Sequence, residues 1–134
     1  ARETTIMKWC QLWNEDTRGR WTHTIIGDLR RWLARKHGEV NGYLCQVQSG
    51  YGVFRAYLKK RNLSDAAGCI HCHEEDTVEH AVFKCGWSKG RRKELAERGV
   101  LIVPGTIVEE MIRSEYVWRA FAAYVKWVIE EKDV

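Results

Sequence analysis

The 134-residue sequence has little proline and no long apolar run. Its single proline and its lack of low-complexity segments argue against an intrinsically disordered chain. The longest stretch without a charged residue covers 15 positions, 40–54, and is rich in Gly, Gln and Ser. Such a stretch is too short and too polar to cross a bilayer. With 45% hydrophobic residues, the sequence predicts one folded domain, residues 1–134, with an ordinary core and no membrane span.

Several enzyme motifs are also missing from the sequence. It contains no phosphate-binding G-x-x-x-x-G-K-[ST] loop, no zinc-protease H-E-x-x-H and no adjacent pair of aspartates. His23, His37 and several acidic residues are present, but no spacing pairs a nucleophile with a base. We therefore expect a protein that is not an enzyme.

Positive charge is concentrated in the first half of the chain. Residues 1–68 carry 12 Lys and Arg against 6 Asp and Glu, whereas residues 99–134 carry 4 against 6. This asymmetry predicts a basic face that binds the phosphates of RNA or DNA. The candidate contacts form two clusters: Arg30, Arg31, Arg35 and Lys36, and then Arg55, Lys59, Lys60 and Arg61. In the alternative interpretation these cations are only solvated, with Asp28 pairing with Arg31 three positions on.

Five cysteines, an odd number, do not fit a pure disulfide framework. Three of them lie with a histidine in the pattern C-x2-C-x7-H-x4-C, formed by Cys69, Cys72, His80 and Cys85. A C-x-x-C turn points two sulfurs inward, and a short helical turn brings the later His and Cys to the same point. Four N and S ligands complete the tetrahedron of one structural Zn²⁺ and leave no position for water.

Other interpretations of these cysteines remain open. The C-x-x-C pair is also compatible with a redox dithiol, and a secreted chain would allow a disulfide plus a free thiol. His71 and His73 are the nearest rival ligands, and we expect both at the surface. Cys10 and Cys45 lie on apolar-periodic stretches, where buried free thiols are expected.

Apolar periodicity predicts helices nearly throughout, in a compact all-α bundle of six to seven short helices. Thr22 is expected to cap the second helix, Thr106 to open a capping box with Glu109, and Ser114 to cap the last helix. His37-Gly38 and Gly99 are predicted helix ends. The tryptophans are expected in the core rather than as platforms for stacking bases. The predicted helices of the bundle cover residues 3–16, 22–36, 43–49, 54–60, 88–98, a short segment from 106, and the segment after 114. A further short helix is predicted within the metal loop, at residues 77–83.

Several stretches of the sequence form a recognisable set: Gly19-Arg-Trp-Thr22, Asp28-Leu-Arg-Arg-Trp-Leu33, His37-Gly-Glu-Val40, Gly50-Tyr-Gly-Val-Phe-Arg-Ala-Tyr-Leu58, the Cys and His pattern at 69–85 with Thr77-Val-Glu-His80, Met111-Ile-Arg-Ser114 and Trp118. Together they resemble the C-terminal region of open reading frame 2 polyproteins of insect non-LTR retrotransposons, which ends in a CCHC zinc knuckle. The resemblance runs along essentially the whole chain.

The chain departs from this family at two places. Tyr51 stands where the family usually has a histidine, and Gly86 follows the last cysteine where a proline is common. The polymerase and endonuclease motifs of the family are absent, so neither activity carries over. The resemblance implies a non-catalytic segment that helps hold template RNA or target DNA.

We therefore expect a non-catalytic zinc-knuckle domain that binds RNA or DNA through its backbone, in the nucleus or cytoplasm. The alternative is a host-captured protein-interaction module without a nucleic-acid role. Because the chain begins with Ala1 rather than Met, we expect a processed product or a piece of a longer chain. Secretion fits only if a leader precedes that residue.

Overall fold

A computed structural model describes residues 20–27, 29–40, 42–49, 68–69, 71–72 and 74–132. The predicted helices at 3–16 and 54–60 lie outside these residues. The described part contains eight helical elements and no strand, apart from an isolated antiparallel bridge between Gly68 and Glu75. The elements are α1 (Arg20–Ile26), α2 (Leu29–Leu33), α3 (Gly42–Ser49), a π-helix (Glu79–Lys84), a 3-10 helix (Gly86–Ser88), α4 (Lys89–Glu97), α5 (Ile107–Arg113) and α6 (Glu115–Lys132). The prediction of a compact all-α bundle is confirmed.

The long helix α6 is the centre of the packing. Its apolar residues recur every three to four positions, which places them on one face. Helices α3 and α5 and the π-helix pack against this face. The residues of this face are buried: Val117, Trp118, Phe121, Tyr124, Val125, Val128 and Ile129.

The region predicted as one helix from residue 22 forms two short ones. Gly27 lies between them with a φ of +64°, a conformation that glycine adopts without strain. Thr22 does not cap a helix, because α1 begins at Arg20 and the Thr22 hydroxyl donates a hydrogen bond to the Gln48 carbonyl at 2.6 Å. The cap prediction was wrong because the threonine joins α1 to α3 instead.

Gly38 lies against the ring of Trp118. Its φ is +93°, and a Cβ at this position would overlap the indole. Trp32 stacks on Trp118 with 5.5 Å between ring centroids, and both are buried. The core role predicted for these two tryptophans is confirmed, whereas Trp21 and Trp127 are only partly buried. The neighbouring His37 binds the Met111 carbonyl through Nε2 at 2.7 Å, so this segment fixes α2 to α5.

In the second half of the chain, the predicted C-terminal glycine and one of the two predicted N-caps are confirmed, and the other cap is not. Gly99 follows α4 with a φ of +85°, as expected for a C′ glycine. The Ser114 hydroxyl accepts a hydrogen bond from the Val117 amide at 3.3 Å and so caps α6. Thr106 occupies the N-cap position of α5 but makes no side-chain capping hydrogen bond, so the predicted capping box was wrong.

Candidate metal centre

Four side chains with metal-binding atoms converge beside the π-helix. The ligand atoms of Cys69, Cys72, His80 and Cys85 all lie within 4.8 Å of one another. Cys69 and Cys85 are almost completely buried, and Cys72 is half-buried. These are the residues that the sequence spacing selected, and the structure places them where they could bind one metal ion.

Two of the distances between the sulfur atoms fit the edges of a tetrahedral zinc site. The Cys85 sulfur lies 3.9 Å from the sulfurs of both Cys69 and Cys72. Zn–S bonds of about 2.3 Å require tetrahedral sulfur–sulfur edges of about 3.8 Å. Nε2 of His80 lies 2.9 Å from the Cys72 sulfur. Because three sulfurs and one imidazole nitrogen match the preference of zinc for soft and borderline ligands, the donor set fits this metal.

The first pair of cysteines is positioned by a tight loop. The Cys69 amide donates a hydrogen bond to the Glu74 carbonyl at 2.6 Å, and Gly68 forms the isolated bridge with Glu75. These contacts close the chain around the C-x-x-C turn. Cys72 therefore faces the same point as Cys69, as the spacing predicts.

The second pair is positioned by the π-helix. The Cys85 amide donates to the His80 carbonyl at 2.7 Å, an i→i+5 bond that closes one wide turn between the two ligands. The Thr77 hydroxyl accepts from the His80 amide at 3.1 Å and holds the start of the turn. The short helix predicted at residues 77–83 is thus present, but in the π form that the H-x4-C spacing fits.

Behind the metal loop, a polar network ties the π-helix to α6. The Tyr124 hydroxyl donates to the Val82 carbonyl at 2.5 Å, and Arg92 donates to the Cys85 carbonyl at 2.7 Å. Ser88 donates to the carbonyls of Ala81 and Cys85, both at 3.2 Å. Burial raises the pKa of the Tyr124 phenol, which therefore stays a neutral donor. The network supplies side-chain donors to three carbonyls at the end of the π-helix.

Ser88 is the central residue of a sequence that matches an enzyme motif, but its surroundings differ from those of the enzyme site. Gly86-Trp-Ser-Lys-Gly90 has the G-x-S-x-G spelling of the hydrolase nucleophile elbow, in which a strand precedes the serine. Here a π-helix and a 3-10 turn precede Ser88, its side chain is fully buried, and its hydroxyl binds two carbonyls. The same bonds explain why Ser88, at the N-cap of α4, makes no capping hydrogen bond.

The protonation of Cys72 reflects its crowded surroundings. A hydrogen bond from the Glu74 backbone lowers its pKa, but desolvation and the thiols of Cys69 and Cys85 outweigh this effect and raise the pKa to about 11. Several thiolates in one small volume repel each other unless a cation compensates them. A bound divalent cation reverses this preference and deprotonates the ligands.

The other cysteines and histidines take different places. Cys45 is exposed, so the prediction of a buried thiol was wrong. Leu44 and Val47 occupy the inner face of α3, and Cys45 lies about 100° around the helix from Leu44. His71 is exposed, as expected, and stacks on Trp87. Cys10 and His73 lie outside the described residues, in which every cysteine is a free thiol.

In the first cluster of predicted nucleic-acid-binding residues, two side chains contact other parts of the protein. Arg31 forms an ion pair with Glu109. The Arg35 guanidinium lies 4.3 Å from the ring centre of Trp32 and donates to that residue's carbonyl. Arg30 and Lys36 are exposed. The second cluster lies outside the described residues: Arg55, Lys59, Lys60 and Arg61.

The structure also places a second basic segment beside the metal loop. Helix α4 and the residue that follows it carry five cations against two carboxylates. The net charge of residues 69–98 as a whole is zero, so it does not reveal this local excess of positive charge. None of the helices in the described part of the chain combines the length and apolar character of a membrane span.

Comparison with known proteins identifies a distant relative of this chain. The chain is 28% identical over 94 residues to a retrovirus-related Pol polyprotein from the type-1 retrotransposable element R1 2 of Nasonia vitripennis. The alignment covers 70% of this chain but only 23% of the relative, so the chain spans less than a quarter of that polyprotein. No family model and no solved structure matches the chain. The protein is thus distantly related, over most of its length, to a segment of a retrotransposon Pol polyprotein.

Proposed function

We propose that Cys69, Cys72, His80 and Cys85 bind one structural Zn²⁺ in a CCHC knuckle, and that the domain is a non-catalytic nucleic-acid-binding element of a retrotransposon-type polyprotein. The observation that carries the proposal is the convergence of three thiols and one imidazole within 4.8 Å. Four protein ligands complete a tetrahedral shell and leave no site for substrate or water. The bound ion would crosslink the loop and stabilise the fold without taking part in a reaction.

The proposed binding of nucleic acid is supported by the similarity to a Pol polyprotein and by the positive net charge of the chain. The relative's name identifies it as a retrovirus-related Pol polyprotein from a retrotransposable element. The whole chain has a net charge of +4. Because three thiolates outweigh one divalent ion, the metal centre itself is anionic, and exposed cations elsewhere must supply the phosphate contacts.

A polarisation titration tests this function. The zinc-loaded chain is titrated against labelled single-stranded RNA and duplex DNA at about 50 mM salt, where phosphate contacts are strongest. The proposal predicts binding that weakens steeply as salt is raised. If neither ligand binds at low salt, the nucleic-acid role is wrong and a protein-interaction module becomes the favoured function.

A matched variant separates the structural role of the metal from binding. The Cys72→Ser chain should lose zinc and weaken nucleic-acid binding through loss of the fold, whereas Cys45→Ser, which removes an exposed thiol outside the cluster, should retain both.

A further inference from the structure

Unpaired positive charge is concentrated on one helix of the described part. Several arginines and lysines on the other helices of this part contact a carboxylate, as in the pairs Arg113–Glu110, Arg119–Glu115 and Lys126–Glu130. Within the described residues, five exposed cations make no ion pair, and four of these belong to α4 or its end: Lys36, Lys89, Arg91, Lys93 and Arg98. Such cations are available to a ligand without breaking an existing ion pair.

Two of these cations line a groove between α4 and α6. Arg91 and Arg98 are seven positions apart and therefore lie on one face of the helix. The groove has a volume of about 330 Å³, and its opposite wall carries Tyr116, a residue that is 55% exposed. Glu94 is the one carboxylate in the lining, against two guanidinium groups. Small alanines on α6 leave the groove open.

The groove is attached to the metal loop by a row of stacked rings. The Arg91 guanidinium lies 4.3 Å from the ring centre of Trp127. Trp127 stacks on Trp87 at 4.6 Å, and Trp87 stacks on His71 at 4.1 Å with the rings nearly parallel. Since His71 lies between Cys69 and Cys72, this row of contacts connects the metal loop to Arg91.

Resting on the proposed function, we propose that this groove binds the backbone of single-stranded nucleic acid, rather than the basic residues in and after α2 (the α2 cluster: Arg30, Arg31, Arg35 and Lys36). Arg91 and Arg98 contact successive phosphates, and a base stacks on the ring of Tyr116. Paired cations with an exposed aromatic ring are the combination that single-stranded ligands use, because every base presents a face for stacking. A duplex keeps its bases stacked internally and gains nothing from the tyrosine. Arg31 is paired with Glu109 and Arg35 donates a hydrogen bond to the Trp32 carbonyl, whereas Arg91 and Arg98 form no ion pair within the described residues, which favours α4 over α2.

Polarisation titrations of the zinc-loaded full chain test the groove. The ligands are labelled single-stranded RNA, single-stranded DNA of the same sequence, and the matching DNA duplex. The variant Arg91→Gln/Arg98→Gln should bind both single strands roughly tenfold more weakly, with a salt slope shallower by about 1.4, the loss expected for two phosphate contacts. Tyr116→Ser should also weaken single-strand binding roughly tenfold. The RNA and DNA arms establish which strand the groove prefers.

Three other variants complete the test. Arg113→Gln/Arg119→Gln removes the same charge from ion pairs outside the groove and should change affinity less than about twofold. Lys93→Gln/Arg98→Gln also removes two positive charges from α4 and its end but keeps Arg91 on the stacked rings. It therefore tests the charge of this helix even if replacement of Arg91 disturbs folding. Arg30→Gln/Lys36→Gln tests the α2 cluster. Zinc content and circular dichroism verify each fold.

The outcomes separate the groove from the proposed function. Selective loss in the groove variants supports the inference. If the unmodified chain binds but only the α2 variant weakens binding, the groove assignment is overturned and the nucleic-acid function stands. Preference for the duplex with no effect of Tyr116→Ser also overturns it. If the unmodified chain binds no nucleic acid, both proposals fail.

Discussion

The carboxylate of Glu74 lies 3.2 Å from Nδ1 of His80, while Nε2 of the same ring points to the thiols. A carboxylate that accepts a hydrogen bond from one imidazole nitrogen fixes the ring and leaves the other nitrogen as a metal ligand. The same glutamate closes the cysteine turn through its backbone carbonyl. Residue 74 therefore supports both halves of the candidate metal centre.

Replacing this carboxylate should weaken metal binding without unfolding the loop. Glu74→Ala retains the backbone contacts but frees the His80 ring, so we expect roughly tenfold lower zinc affinity. Because Glu74 is 74% exposed, the lower end of the usual range applies. Competition with a chelator of known affinity measures the change. Glu79→Ala, which breaks only a surface pair with Lys84, should leave the affinity unchanged, and equal effects would contradict this role for Glu74.

Loss of one cysteine ligand should destabilise the whole domain. Val82 and Phe83 of the π-helix belong to the buried core, so disorder in the metal loop removes packing against α6. We expect Cys72→Ser to lower the melting temperature sharply and to abolish stoichiometric zinc. Calorimetry and metal analysis check this against Cys45→Ser, and a parent-like melting curve without zinc would disprove the structural role.

Gly38 should tolerate substitution less well than Gly27. Both have positive φ angles, which cost a non-glycine residue about 1–2 kcal/mol. Only at Gly38 does a Cβ also overlap a core ring, that of Trp118, and this overpacking adds about 1–3 kcal/mol. Denaturant unfolding of Gly38→Ala and Gly27→Ala measures the difference. Equal losses of stability would show that the ring does not resist the added methyl group.

Removing the Tyr124 hydroxyl should destabilise the π-helix. In Tyr124→Phe the Val82 carbonyl loses its buried donor, and Arg92 loses a partner at 3.4 Å. We expect a cost of about 1–3 kcal/mol in the free energy of unfolding. Tyr116→Phe removes a hydroxyl from an exposed ring and should cost less than about 0.5 kcal/mol. Urea unfolding of both variants decides whether the buried hydroxyl supports the metal loop.

The parts of the structure that sequence reasoning identified depend on local spacing. The C-x2-C-x7-H-x4-C pattern selected the four clustered side chains, and the periodicity of α6 selected its buried face. In both cases the geometry follows from the separation of residues along the chain.

The parts that it missed depend on contacts between distant segments. Thr22 carries the residue type of a helix cap, yet its hydroxyl binds a carbonyl 26 positions away. Arg31 resembles a free surface cation, but Glu109 lies beside it in the fold. The α4 cations were overlooked because net charge over residues 69–98 conceals which of them are paired. No local pattern encodes such partners.

X-ray absorption spectroscopy of the zinc-loaded chain tests the proposed metal centre most directly. The account predicts one zinc per chain with three sulfur ligands at about 2.3 Å and one nitrogen at about 2.0–2.1 Å. A chain that retains no zinc, or a zinc ion coordinated mainly by oxygen, would contradict it.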